Sequence, residues 1–140
     1  AEKTESEAVK LFFDMMAEEE GSHIKILSEQ FKSFKNTGQF APQPLEDKHS
    51  QAAASKVLTQ NIKNQISAAG FEAAAISAAM NMEQKSIDLY AARAESSEDG
   101  EEKKLYHWLA DWEQTHLDML VQMHQELTED VWYDNQFWPF

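Results

Sequence analysis

The chain has 140 residues, the length of one domain with a sizeable core. Its formal net charge of −13 makes nucleic acid and anionic membrane surfaces poor candidate partners, and the absence of cysteine excludes disulfides and thiolate metal sites. Glycine and proline are rare and no apolar run is long enough for a membrane span, so we expect a helical cytoplasmic protein.

The first predicted helix covers about residues 5–34 and follows a capping-box pattern formed by Thr4 and Glu7. Its apolar residues recur at helical spacing: Phe13, Met16, Leu27 and Phe31. Gly38 marks its end and two prolines indicate a loop. Residues 46–66 then predict one or two short helices.

The second half of the chain predicts two more long helices, over about residues 71–93 and 101–127. Between them, residues 96–100 have the composition of a turn with helix-capping residues. Residues 131–140 form an aromatic-rich tail that we expect to pack on the bundle or on a neighbouring subunit, which favours a homodimer. We therefore expect an all-α domain over residues 1–130, followed by this tail.

An internal repeat relates the first and last long helices. Shifting the chain by 93 positions gives eight identities in 27 ungapped positions. Both copies carry a glutamate followed three positions later by a histidine: Glu20 with His23, and Glu113 with His116. On a helix this spacing puts the two side chains on one face, where both can reach one metal ion. A third match at residues 46–49 is interpreted as a coincidence in a loop-to-helix segment.

Each Glu-x-x-His pair lies in the middle of an apolar stripe, where a charge is costly unless it is paired or bound to metal. In the last helix the stripe contains Tyr106, Leu109 and Leu120. The helix before it places a lone carboxylate, Glu83, on its core face among apolar residues: Ile76, Met80, Ile87 and Tyr90. Three helices that point acidic groups inward favour a bundle-core metal site over histidines and ion-paired glutamates in an ordinary core. Carboxylate and imidazole ligands suit iron or manganese.

The stretches AEEEGSH (17–23), MEQKSIDLY (82–90) and LADWEQTH (109–116) resemble the ferritin-like di-iron carboxylate proteins of the rubrerythrin type. This resemblance implies a four-helix bundle with a long crossover at about residues 36–70. It also implies a cofactor of two iron ions, with manganese or a mixed metal pair as the alternative.

By the same resemblance, Glu20 and Glu113 would bridge the two ions, His23 and His116 would each bind one ion, and Glu83 would be a terminal ligand. A complete bundle of this type has another helix with a lone glutamate. By the repeat, that glutamate would lie about eleven positions before the first residue given. We expect that helix in a longer form of the chain or from another chain.

Two features differ from rubrerythrins proper. Ser86 stands where they carry an extra carboxylate, and the cysteine-rich domain that delivers their electrons has no counterpart here. The resemblance implies a peroxidase-like oxidoreductase that reduces peroxide or oxygen with electrons from a separate donor, such as a rubredoxin-like protein. The alternatives are ferritin-like oxidation of ferrous iron for storage and a non-catalytic helical interaction module.

The remaining polar residues near these stripes receive simpler interpretations. Glu18 and Glu19 are expected to be solvated, although either one would be able to replace the missing carboxylate if the helix rotates. Tyr90 is expected to pack in the core, as is Tyr106. Two histidines of the last helix lie off the ligand stripe, and we expect both at the surface or at a subunit contact: His107 and His124.

Overall fold

The computed structural model describes residues 7–44 and 71–134. These ranges contain three long helices: α1 (Glu7–Thr37), α2 (Phe71–Ser96) and α3 (Gly100–Asp134). The described ranges contain no strand, which confirms the predicted all-α fold. None of the described helices is long and apolar enough to cross a membrane. The predicted short helices at 46–66 lie outside the described residues.

The helix ends follow local sequence signals. Gly38 adopts a positive φ of 74°, and its N–H bonds to the carbonyl of Phe34 at 2.8 Å, so a glycine closes α1 as predicted. Asp99 caps α3, because its Oδ1 accepts hydrogen bonds from the backbone N–H groups of Glu101 and Glu102, both at 2.9 Å.

The last helix is longer than the sequence predicts. It continues to Asp134, so the first four residues of the predicted aromatic tail are helical. Residues 128–134 contain neither glycine nor proline, and therefore carry no local signal that would stop the helix. Residues 135–140 lie outside the described part of the chain.

Two apolar clusters hold the three helices together. One contains Phe12 and Met16 from α1, Ile76 from α2, and Leu120 and Met123 from α3. The other lies nearer the α2–α3 turn, where the small Ala94 packs against Leu105, Tyr106 and Leu109, with Leu27 of α1 beside them. The residues between the two clusters on each helix include the predicted metal ligands. The fold thus places a polar layer between two apolar layers.

The buried face of α1 differs from the predicted stripe. Phe31 is 64% exposed and Phe13 is only half-buried, whereas Phe12 and Gln30 are buried. The prediction was wrong for Phe31 because α1 has apolar residues on two adjacent faces, and periodicity alone does not choose between them. Gln30 is accommodated by two 2.9 Å hydrogen bonds to the backbone N–H and C=O of Ala41.

Candidate metal centre

The middle layer of the bundle brings together the five residues that the sequence predicts as ligands. Glu20 and His23 come from α1, Glu83 from α2, and Glu113 and His116 from α3. All except Glu20 are buried, and the side chain of Glu20 is 42% exposed. Since isolated charges are costly in such a layer, these groups must neutralise one another or bind a cation.

Glu113 lies between the two histidines. Its Oε1 is 3.2 Å from His23 Nδ1, and its Oε2 is 3.3 Å from His116 Nδ1. Glu83 Oε1 approaches His116 Nδ1 at 3.7 Å. Glu20 Oε1 is 3.7 Å from His23 Nδ1 and 4.0 Å from His116 Nδ1. Carboxylate oxygens therefore surround both Nδ1 atoms.

Four of these residues offer ligand atoms that all lie within 4.8 Å of one another: Glu20, Glu83, Glu113 and His116. His23 lies next to this group and contacts Glu20 and Glu113. The donor set consists of carboxylate oxygens and imidazole nitrogens, as iron and manganese prefer.

The nitrogens inside the cluster are close to the carboxylates but do not form well-aligned hydrogen bonds. Within residues 7–44 and 71–134, the Nδ1 atoms of His23 and His116 and the Oε2 of Glu113 are buried without a hydrogen-bond partner. Buried polar atoms normally find partners. Atoms that face a common space without bonding to each other are well placed to bind metal ions, so the residues present fit a metal centre.

The charges of the cluster are mutually dependent when no metal is bound. Burial alone lowers the pKa of both histidines, but the surrounding carboxylates outweigh it and raise the pKa of His23 to about 9 and that of His116 to about 11. Burial would raise the pKa of Glu113, but the two histidines hold it well below its usual range. Burial, with Glu113 close by, raises the pKa of Glu83. The metal-free cluster is thus held together by imidazolium–carboxylate pairs.

Glu19 is a functional candidate that the sequence prediction missed. Its side chain is only 13% exposed, its Oε2 contacts His116 Nε2, and it accepts a 3.2 Å hydrogen bond from the indole N–H of Trp112. Once Nδ1 gives up its proton on metal binding, a carboxylate against Nε2 keeps the remaining ring proton there and leaves the Nδ1 lone pair directed into the cluster. The expectation that Glu19 is solvated was therefore wrong, whereas Glu18 is exposed as predicted. The sequence did contain a signal for this contact: Glu19 lies seven residues after Phe12 and four before His23, so the three residues share one face of the helix.

The other residues near the site have ordinary packing roles. The rings of Tyr90 and Tyr106 stack with their centroids 6.3 Å apart, consistent with core packing. Burial and nearby carboxylates, Glu113 first among them, raise the pKa of Tyr90 to about 12. His107 is exposed and His124 is half-buried. The third Glu-x-x-His match, at 46–49, lies outside the described residues.

The family model described as Rubrerythrin matches residues 1–124. No curated protein and no solved structure matches significantly. The matched range includes all five predicted ligands and Glu19.

Proposed function

The chain belongs to the rubrerythrin family, and from this premise we propose that it is a non-haem di-iron protein that reduces peroxide or oxygen with electrons from a separate donor. Manganese or a mixed metal pair is the alternative cofactor, because the same oxygen and nitrogen donors suit both metals. The ferritin-like use of the site, oxidation of ferrous iron for storage, is the alternative function.

One observation carries the proposal: the two buried histidines present their Nδ1 atoms to different oxygens of Glu113. Their rings lie 6.4 Å apart and nearly parallel, on either side of that carboxylate. A carboxylate with one imidazole at each oxygen is suited to hold two ions rather than one. This is the pattern of a bundle-core di-iron site.

We assign the five predicted residues as the ligands. Glu113 would bridge the ions, and Glu20, whose Oε1 lies near both histidines, would bridge them on the more exposed side. His23 and His116 would each bind one ion, with Glu83 as a terminal ligand on the His116 side. When bound, the metal pair supplies two electrons and polarises the O–O bond of the substrate.

Among the described residues, Glu20 is the predicted ligand nearest the surface, since it is half-exposed while Glu83, Glu113 and both histidines are buried. Reduction of hydrogen peroxide to two waters consumes two electrons and two protons. In this proposal a separate donor such as a rubredoxin-like protein would return the electrons.

A comparison of two oxidants tests the proposed reaction. The full chain is loaded anaerobically with two equivalents of ferrous iron and mixed with stoichiometric hydrogen peroxide or with dissolved oxygen. We expect peroxide to oxidise the iron much faster than oxygen does, with a reductant restoring the ferrous state over repeated cycles. Fast oxygen consumption beside slow reaction with peroxide would instead identify ferritin-like chemistry. Metal analysis that finds no bound iron would reject both.

Metal uptake is expected to release protons. At pH 7 both histidines of the metal-free cluster are protonated, because their pKa values are raised to about 9 and about 11, and only neutral imidazole binds metal. Titration in a weakly buffered solution should therefore show about one proton released per ion from the histidines. The apparent metal affinity should rise with pH up to at least pH 9. Uptake without proton release would contradict this charge assignment.

The raised histidine pKa values also make the stability of the metal-free fold depend on pH, in the direction opposite to metal affinity. A pKa raised above the unfolded value of 6.5 stabilises the fold fully below pH 6.5, and this contribution is lost as pH rises through about 9 for His23. Denaturant unfolding of the metal-free chain at pH 6.5 and pH 9 would check this sign. The unfolding midpoint should be lower at pH 9.

A further inference from the structure

The two histidines of the centre differ in what surrounds their outer nitrogens. The Nε2 of His116 lies against the carboxylate of Glu19. The ring of His23 instead has edge-on contacts with two indoles, Trp108 and Trp112, with centroids 5.6 Å away in both cases. Within the described part of the chain, His23 Nε2 is buried without a hydrogen-bond partner. One imidazole is thus supported by a charged acceptor and the other by aromatic rings.

The residues that cause this difference occupy equivalent positions in the internal repeat. Glu19 and Trp112 are 93 residues apart, and each immediately precedes the glutamate of its own Glu-x-x-His pair. Each side chain packs against the histidine of the opposite pair, and the Trp112 N–H donates to Glu19 at 3.2 Å. The two halves of the centre therefore carry the same Glu-x-x-His pair but different support at the position before the glutamate, in addition to Glu83, which lies on the His116 side.

This difference has a direct consequence for metal binding. A carboxylate that accepts the outer N–H of a ligating histidine fixes its orientation and increases its basicity, and the loss of such a partner typically costs about 10–100-fold in metal affinity. An aromatic ring is a much weaker acceptor of that N–H. His116 is accordingly the better-supported ligand, and His23 is the weaker one.

We propose that Glu19 and Trp112 make the two metal positions unequal, so that the ion on His116 binds first and tightly while the ion on His23 binds second and exchanges more readily. This inference rests on the two-ion centre of the proposed function. Glu19 acts as a positioning residue through His116, without contacting the metal. The gap between the two dissociation constants is expected to be about 10–100-fold.

The test is an anaerobic titration of the metal-free full chain with cobalt(II), followed by absorbance and calorimetry. We expect two binding steps in the wild-type chain. His116→Gln should remove the tight step, and the same substitution at the other histidine, His23→Gln, should remove the weak step and leave the tight one. Two equal steps, or a tight step that follows His23, would overturn the proposal. If no cobalt binds, the metal centre itself fails.

Substitution of Glu19 measures its contribution to the affinity of the tight binding step. Glu19→Gln should weaken the tight step about 10–100-fold and leave the weak step unchanged, with Glu19→Asp retaining part of the tight binding. Glu18→Gln removes the same charge from the neighbouring exposed position and should change neither step. Equal effects of the two Gln variants would show that only net charge matters and would reject the positioning role. If Glu19→Gln does not fold, Glu19→Asp still tests the role of Glu19, because an unchanged tight step in that variant would reject it.

Discussion

Glu113→Gln is expected to reduce the metal content of the chain from two ions to none. The two oxygens of Glu113 face different histidines at 3.2 and 3.3 Å, and the residue is only 1% exposed. Glutamine has nearly the same size, so the substitution leaves no cavity, but it removes the negative charge and one of the two acceptor oxygens. Both ions would lose a ligand and the charge that offsets them. Metal analysis after anaerobic loading and desalting measures the result.

A matched variant separates this effect from a general loss of negative charge. Glu129→Gln removes an exposed carboxylate from the same helix and should leave two ions per chain. Circular dichroism of both variants checks that the helices persist. If Glu113→Gln keeps both ions, Glu113 does not bridge them and its assigned role is rejected. If the variant keeps one ion, Glu113 serves only one of the two positions.

The sequence was informative about the centre because its geometry is encoded within single helices. A spacing of three positions fixes a glutamate and a histidine on one face, whatever the rest of the fold does. The structure brings Glu20, His23, Glu113 and His116 into one layer, together with the lone carboxylate Glu83. The stripes of α2 and α3 therefore predicted which face points inward, the Glu-x-x-His spacing did so for the ligands of α1, and the repeat related two of the helices.

The features that the sequence prediction missed depend on contacts between helices. Glu19 belongs to a run of three glutamates, and only the position of α3 decides which of them meets His116. The faces of α1 posed the same problem, because Phe12 and Phe13 differ by about 100° around the helix axis and both continue apolar stripes. Periodicity locates the buried stripe of a helix only to within about one residue. The neighbouring helices decide which of two adjacent faces is buried.

Phe12→Ala is expected to destabilise the metal-free protein by about 3–5 kcal/mol, the usual cost of removing a fully buried phenylalanine. Phe12 is 1% exposed and packs in the cluster that joins α1 to α2 and α3. The same substitution in the same helix at Phe31, which is 64% exposed, should change the free energy of unfolding by about 0.5 kcal/mol or less. Urea denaturation of the two variants and the wild type measures both values.

This pair of variants also tests how the fold supports the metal centre. Glu20 and His23 reach the middle layer only because α1 is anchored against α2 and α3, and Phe12 is part of that anchor. Since ions that bind only the folded state stabilise it, loading should raise the unfolding midpoint of every variant that keeps the centre. We expect the metal-induced shift to be smaller for Phe12→Ala than for Phe31→Ala, because looser packing of α1 weakens the ligands it carries. Similar destabilisation by both substitutions would mean that Phe31 packs against other helices as tightly as Phe12 does.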